Sequence, residues 1–185
     1  RGKYASPISM SGGTLSGAMD SSASLTMTGG TLVPGSTGAG NVGTMKVSSA
    51  TLAGTMTLNT TASAISKLES AGAVALGGVT INIPSALAAG TYDIITSTSM
   101  TGTATLGTNT TGHAAYIVQD GNTLKLVIEP QIVFTGVTLA TTEGGANGSA
   151  SVKLSAKPLG NVTVQVASAD TGAMTVSPST FTFTT

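Results

Sequence analysis

Gly12-Gly13-Thr14-Leu15 returns 17 residues later as Gly29-Gly30-Thr31-Leu32. Thr51-Leu52-Ala53-Gly54 follows 20 residues after Thr31-Leu32, and Ala75-Leu76-Gly77-Gly78 comes 24 residues after that. A turn of small residues beside a leucine thus recurs about every 20 residues, and repetition at such a period marks a stacked architecture. The expected fold is a parallel β-solenoid, in which each coil of chain lies on the last. Glycine supplies the corners, because it alone adopts left-handed backbone angles without a steric penalty. Leu, Val and Met fill a narrow interior, and outward Ser and Thr keep the surface wet. The apolar phase slips by one residue between Thr55–Leu58 and Val79–Ile83.

Between the turns, apolar residues alternate with small polar ones, as in half-buried strands. Thr55–Leu58, Thr123–Ile128, Asn161–Val166 and Thr180–Thr184 carry this pattern. Helical periodicity is nearly absent: Ala62–Ala71 is the best candidate, and Pro84–Ala89 allows one more turn. From Ala89 the texture changes. Gly90–Ile95 and Met100–Leu106 read as strands, and Tyr116–Gln119 and Thr123–Ile128 flank Asp120-Gly121-Asn122 as a hairpin. A charged hairpin is a sensible end cap, since an open strand edge invites aggregation. Beyond Pro130, Ile132–Leu139, Ser149–Ser155, Val162–Ala167 and Ala173–Thr185 are spaced like strands of an antiparallel sandwich. About 100 residues complete such a sandwich, so this one is partial. The reading is therefore all-β: solenoid coils over 1–88, a β-rich end cap over 89–130, and a partial immunoglobulin-like sandwich over 131–185. The chain opens at Arg1 and stops at Thr185 within a strand pattern, as an interior or processed fragment of a longer protein would.

Composition sets limits on function. Of 185 residues, 8% are charged, against about 25% in an ordinary domain. Lys+Arg and Asp+Glu number 7 each, so the net charge is zero and the electrostatic footprint of a nucleic-acid binder is missing. No apolar run reaches the roughly 20 residues that cross a bilayer. There is no Cys, which removes disulfides and thiolate metal sites and suits a secreted bacterial surface protein.

Catalytic candidates are few. His113 is the one imidazole, with Asp120 the nearest acid along the chain. The 33 Thr and 22 Ser make a hydroxyl near it uninformative, so it reads as a loop residue rather than part of a triad. The acids are Asp20, Glu69, Asp93, Asp120, Glu129, Glu143 and Asp170, and no two lie within 8 residues of each other. Paired carboxylates of the kind glycosidases use are therefore not expected. No catalytic or cofactor residue is assigned and the chain is read as a non-enzyme. Asn59, Asn109, Asn147 and Asn161 begin N-x-Ser/Thr sequons and are candidate glycosylation sites. Thr-x-Thr pairs at Thr55/Thr57, Thr101/Thr103/Thr105 and Thr180/Thr182/Thr184 suggest an ice-binding face, but in sequence they do not recur at the coil period. The aromatics mostly sit in strand patterns that imply burial, which disfavours an exposed binding patch.

Two stretches resemble known families. Thr51–Leu58, Ala75–Ile83, Ala89–Ile95 and Gly121–Val127 are similar to the autotransporter-associated β-strand repeats of bacterial surface proteins. That resemblance implies a right-handed parallel β-helix used for display or scaffolding. Thr142–Gly145, Ala150–Ser155, Asn161–Val166 and Val176–Phe183 resemble Calx-β and related immunoglobulin-like adhesin modules. That resemblance implies calcium bound by clustered acids, of which Glu143 and Asp170 match. The expected function is a structural component of an extracellular or cell-surface filament, sheath or layer, built by β-strand pairing into a homo-oligomer or polymer. The partial sandwich would take strands from a neighbouring subunit. The alternatives are an adhesin module that recognises a glycan or partner protein and, more remotely, an ice-binding solenoid.

Overall fold

The structure, a computed structural model, describes residues 6–36, 38, 40–136, 145, 147–158 and 160–185. It divides into two compact units, Arg1–Ile128 and Glu129–Thr185. The described residues form an all-β structure without a helix, and the first unit is a parallel β-solenoid of about 3 turns.

The first coil contributes β1 (Ile8–Met10) and β2 (Thr14–Gly17); the second, β3 (Ser24–Met27), β4 (Thr31–Pro34) and β5 (Thr44–Val47). The third holds β6 (Ser49–Leu52), β7 (Thr55–Thr57) and β8 (Lys67–Ser70). Next come β9 (Ala73–Ile83), β10 (Gly90–Thr96) and β11 (Ser99–Asn109), then β12 (Ala115–Asp120) and β13 (Thr123–Ile128). One sheet has 8 strands in the order β1-β3-β6-β9-β7-β4-β2, with β11 also on β9. It covers two faces of the coil, because β9 and β11 each run through a corner. The other sheet, β12-β13-β10-β8-β5, forms the third face.

The corners explain the glycines. Gly13, Gly30, Gly54 and Gly78 occupy successive corners, all with φ between +72° and +99°. Their intervals are 17 and then 24 twice, so the mature period is longer than the expected 20. The short first interval has a simple cause. The first coil has no third-face strand; only Asp20 bridges to Lys46 there. The spacing of 20 from Thr31 to Thr51 joins positions that do not stack, since Thr51 lies on Thr26 and Thr31 on Thr55. The one-residue phase slip is equally local. Met56 pairs with Ile81, a step of 25, while the corner glycines step by 24, so β9 takes up one extra residue beyond Gly78.

Inward side chains stack in columns. Ile8, Leu25, Ala50, Val74 and Met100 form one, and Leu15, Leu32, Met56, Ile81 and Leu106 another. Met45, Leu68 and Ile95 form the third-face column, and the three columns meet in one apolar core. Outward residues stack as well. Thr14, Thr31, Thr55, Thr80 and Thr105 are in register from coil to coil. Ser9, Thr26, Thr51, Ala75 and Thr101 form a parallel row. Threonine therefore does recur at the coil period, which becomes visible once the period is 24 to 26 rather than 20.

Both helix candidates are strand or loop. Lys67–Ser70, inside Ala62–Ala71, is β8, paired with β5 and β10. Pro84–Ala89 has no regular structure. The second unit contains β14 (Ile132–Thr135), β15 (Ser151–Leu154), β16 (Val162–Gln165) and β17 (Thr180–Phe183). They pair as two separate antiparallel two-stranded sheets, β14 with β15 and β16 with β17. Among the described residues of this unit, only Val164 and Pro158 are buried, so little apolar surface holds the sheets. Residues 136–139 of the expected first strand lie partly outside the described residues.

Candidate assembly surface

Charge is segregated by face. The charged residues described in the solenoid are Asp20, Lys46, Lys67, Glu69, Asp93, Asp120 and Lys125. All except Asp20 lie in strands of the third sheet, and Asp20 bridges to Lys46 beside β5. No residue in any strand of the 8-stranded sheet is charged. Strand pairing brings the third-face charges together. Lys46 and Glu69 are register partners, with Nζ and Oε2 3.4 Å apart, and Lys67 Nζ lies 2.5 Å from Glu69 Oε1. Lys125 Nζ lies 2.5 Å from Asp120 Oδ2, and Asp93 is its register partner on β10.

These contacts shift protonation. The hydrogen bond from Lys67 holds the Glu69 carboxyl below the usual carboxylate range; burial opposes this and Lys46 adds to it. The hydrogen bond from Lys125 lowers Asp120 and in turn raises Lys125. Burial raises Tyr92. Because the folded pKa of Glu69 is depressed, its contribution to stability is present above the unfolded pKa and is lost as pH falls through the folded value. Solvent screens these pairs, so the effect is at most about 0.5 kcal/mol. Urea unfolding of Glu69→Gln should therefore fall slightly below the parent chain at neutral pH and converge on it as pH falls through the folded pKa of Glu69. A parent that loses no more stability than the variant on acidification would refute the assignment.

The candidate chemistry residues do not converge. His113 is half-buried in a turn in which Asn109 Nδ2 donates to its carbonyl (2.8 Å) and its N–H donates to Thr111 Oγ1 (3.2 Å). Asp120 stands at the far end of β12, a strand spanning about 17 Å from Ala115, and is engaged with Lys125. Among the described residues, no three His, Cys, Asp or Glu are grouped as metal ligands. Asp170 Oδ1 accepts the N–H groups of Gly172 (2.9 Å) and Ala173 (3.2 Å), closing a local turn. Glu143 lies outside the described residues. Of the sequon asparagines, Asn147 and Asn161 are exposed. Asn59 is buried, with Nδ2 donating to the carbonyls of Ser36 and Asn41, so it supports a loop and does not present an amide to solvent.

Two strands end the solenoid as edges. Among the described residues, β11 pairs only with β9 and β12 only with β13. Side chains of the hairpin shield the start of β11: Asn122 Nδ2 donates to the Thr98 carbonyl (2.8 Å) and Gln119 Nε2 to the Met100 carbonyl (3.4 Å). The hairpin thus prolongs the third face and leaves the rest of β11 uncapped. Two aromatics depart from the expected burial: Tyr116 is 45% exposed and Phe134 is 56% exposed. Val118, two residues from Tyr116, is 39% exposed. Sequence reading missed this patch, because alternation cannot say which strand lies at an edge. No described helix is long and apolar enough to cross a membrane. No protein-family model matches the chain, and neither a curated protein nor a solved structure matches it.

Proposed function

We propose that this chain is a non-catalytic structural component of an extracellular or cell-surface assembly, a filament, sheath or layer built by β-strand pairing between subunits. The observation that carries this reading is the segregation of charge. Natural sheets keep neighbours away with edge charges, prolines and covering elements. Here, among the described residues, two of the three solenoid faces carry none of these charges, and beyond its shielded start β11 offers an uncharged edge. Small outward side chains let another β surface approach closely, and uncharged contacts are insensitive to salt. The resemblance to autotransporter repeats and immunoglobulin-like adhesin modules supports the same setting, including strand addition to the second unit from a neighbour. Electron microscopy of the purified chain is the test. Ordered fibres or lattices are expected; dispersed monomers that bind cells or glycans would overturn the proposal in favour of an adhesin.

The in-register row from Thr14 to Thr105 supports a second reading, an ice-binding face. It requires the chain to inhibit ice recrystallisation and to lose that activity in Thr55→Lys, and an inactive parent chain would remove it.

A further inference from the structure

We propose that β12 is a self-pairing edge through which two copies of this chain join antiparallel about a two-fold axis at Ile117, uniting their third-face sheets. The inference deepens the structural reading above and rests on it. Two independent features of one strand carry it.

The first feature is the main chain. The β12–β13 hairpin turns over Gly121 and Asn122, with Asp120 opposite Thr123. In a two-residue hairpin the residues flanking the turn exchange both hydrogen bonds, and bonded and non-bonded pairs then alternate. Asp120, Val118 and Tyr116 therefore spend their main-chain groups on β13. Ala115, Ile117 and Gln119 direct theirs away from it, where no described strand receives them. Such a row of donors and acceptors calls for another strand.

The second feature is the side chains. Tyr116 and Val118 project from the same face of β12 and, among the described residues of the solenoid, are two of the three exposed large hydrophobics, Val42 being the other. An axis at Ile117 sets Tyr116 of one copy opposite Val118 of the other, twice by symmetry. Ile117 then faces itself, and Ala115 faces Gln119. The outward main-chain groups thus meet as hydrogen-bonded pairs. Tyr116 and Val118 fall on the non-bonded pairs, where side chains come closest and aromatic–β-branched contacts are favourable. The pairing is self-complementary, as an isologous interface must be. Charge does not oppose it, since Asp120 at the strand end is held by Lys125.

Sedimentation of the parent chain, Val118→Lys and Gln119→Pro tests this. The parent should show a concentration-dependent doubling of mass. Val118→Lys puts a charge into the contact, and Gln119→Pro deletes an outward donor while leaving the bonds to β13 intact. Both should sediment as monomers with an unchanged β-type circular dichroism spectrum. Since the chain has no Cys, oxidising a mixture of Tyr116→Cys and Val118→Cys should give a disulfide-linked dimer of the two variants. A parent dimer that survives both blocking substitutions, with no cross-link in the mixture, would overturn this pairing and leave the structural reading standing. A parent chain that stays monomeric at every concentration and forms no larger assembly would overturn both.

Discussion

Gly54→Ala should destabilise the solenoid by about 3 kcal/mol in urea unfolding. Gly54 turns a corner at φ +99°, and a Cβ there would lie 2.8 Å from the Gly30 carbonyl oxygen and 3.1 Å from Gly29 Cα. Both obstacles are backbone of the preceding coil, so neither can move without shifting that coil. Left-handed strain contributes about 1–2 kcal/mol and the overpacking about as much again. Gly78→Ala separates the two effects. Gly78 has φ +79° but nothing within 4 Å of its Cβ position, so it should cost only the strain, about 1 kcal/mol. Equal losses at the two sites would show that the coils do not stack as closely as described.

Leu52→Ala should cost about 3 kcal/mol, a large share of the 5–15 kcal/mol that holds a typical domain. Leu52 is fully buried between its register partners Met27 and Leu76. The walls are main-chain ladders, so the cavity cannot collapse readily. The adjacent Thr51 points outward, and Thr51→Ala should stay within about 0.5 kcal/mol. Chemical denaturation of both variants checks this; comparable losses would contradict the inward–outward alternation.

The solenoid was legible because its corners require glycine and its interior requires Leu, Val, Ile or Met, and both leave a mark in sequence. Its period was less legible. The first coil omits the third-face strand and the spacing from Thr31 to Thr51 joins positions that do not stack, so intervals of 17, 20 and 24 suggested a false 20. Ala62–Ala71 looked helical because Ala, Lys, Leu and Glu favour helix locally. Pairing of Lys67–Ser70 between β5 and β10 overrode that preference. The segregation of charge was hidden in plain residues: Lys46, Lys67 and Asp93 are dispersed along the chain and converge only when the third strand of each coil is placed. The exposure of Tyr116 and Val118 depends on β12 being an edge, which alternation alone does not encode.

Fibre diffraction from aligned assemblies of the native chain tests most directly whether stacked main-chain ladders build the assembled material. Strands lying across the long axis predict a meridional reflection at about 4.8 Å, the spacing of paired strands. A pattern without that meridional repeat, or with it on the equator, would contradict the account.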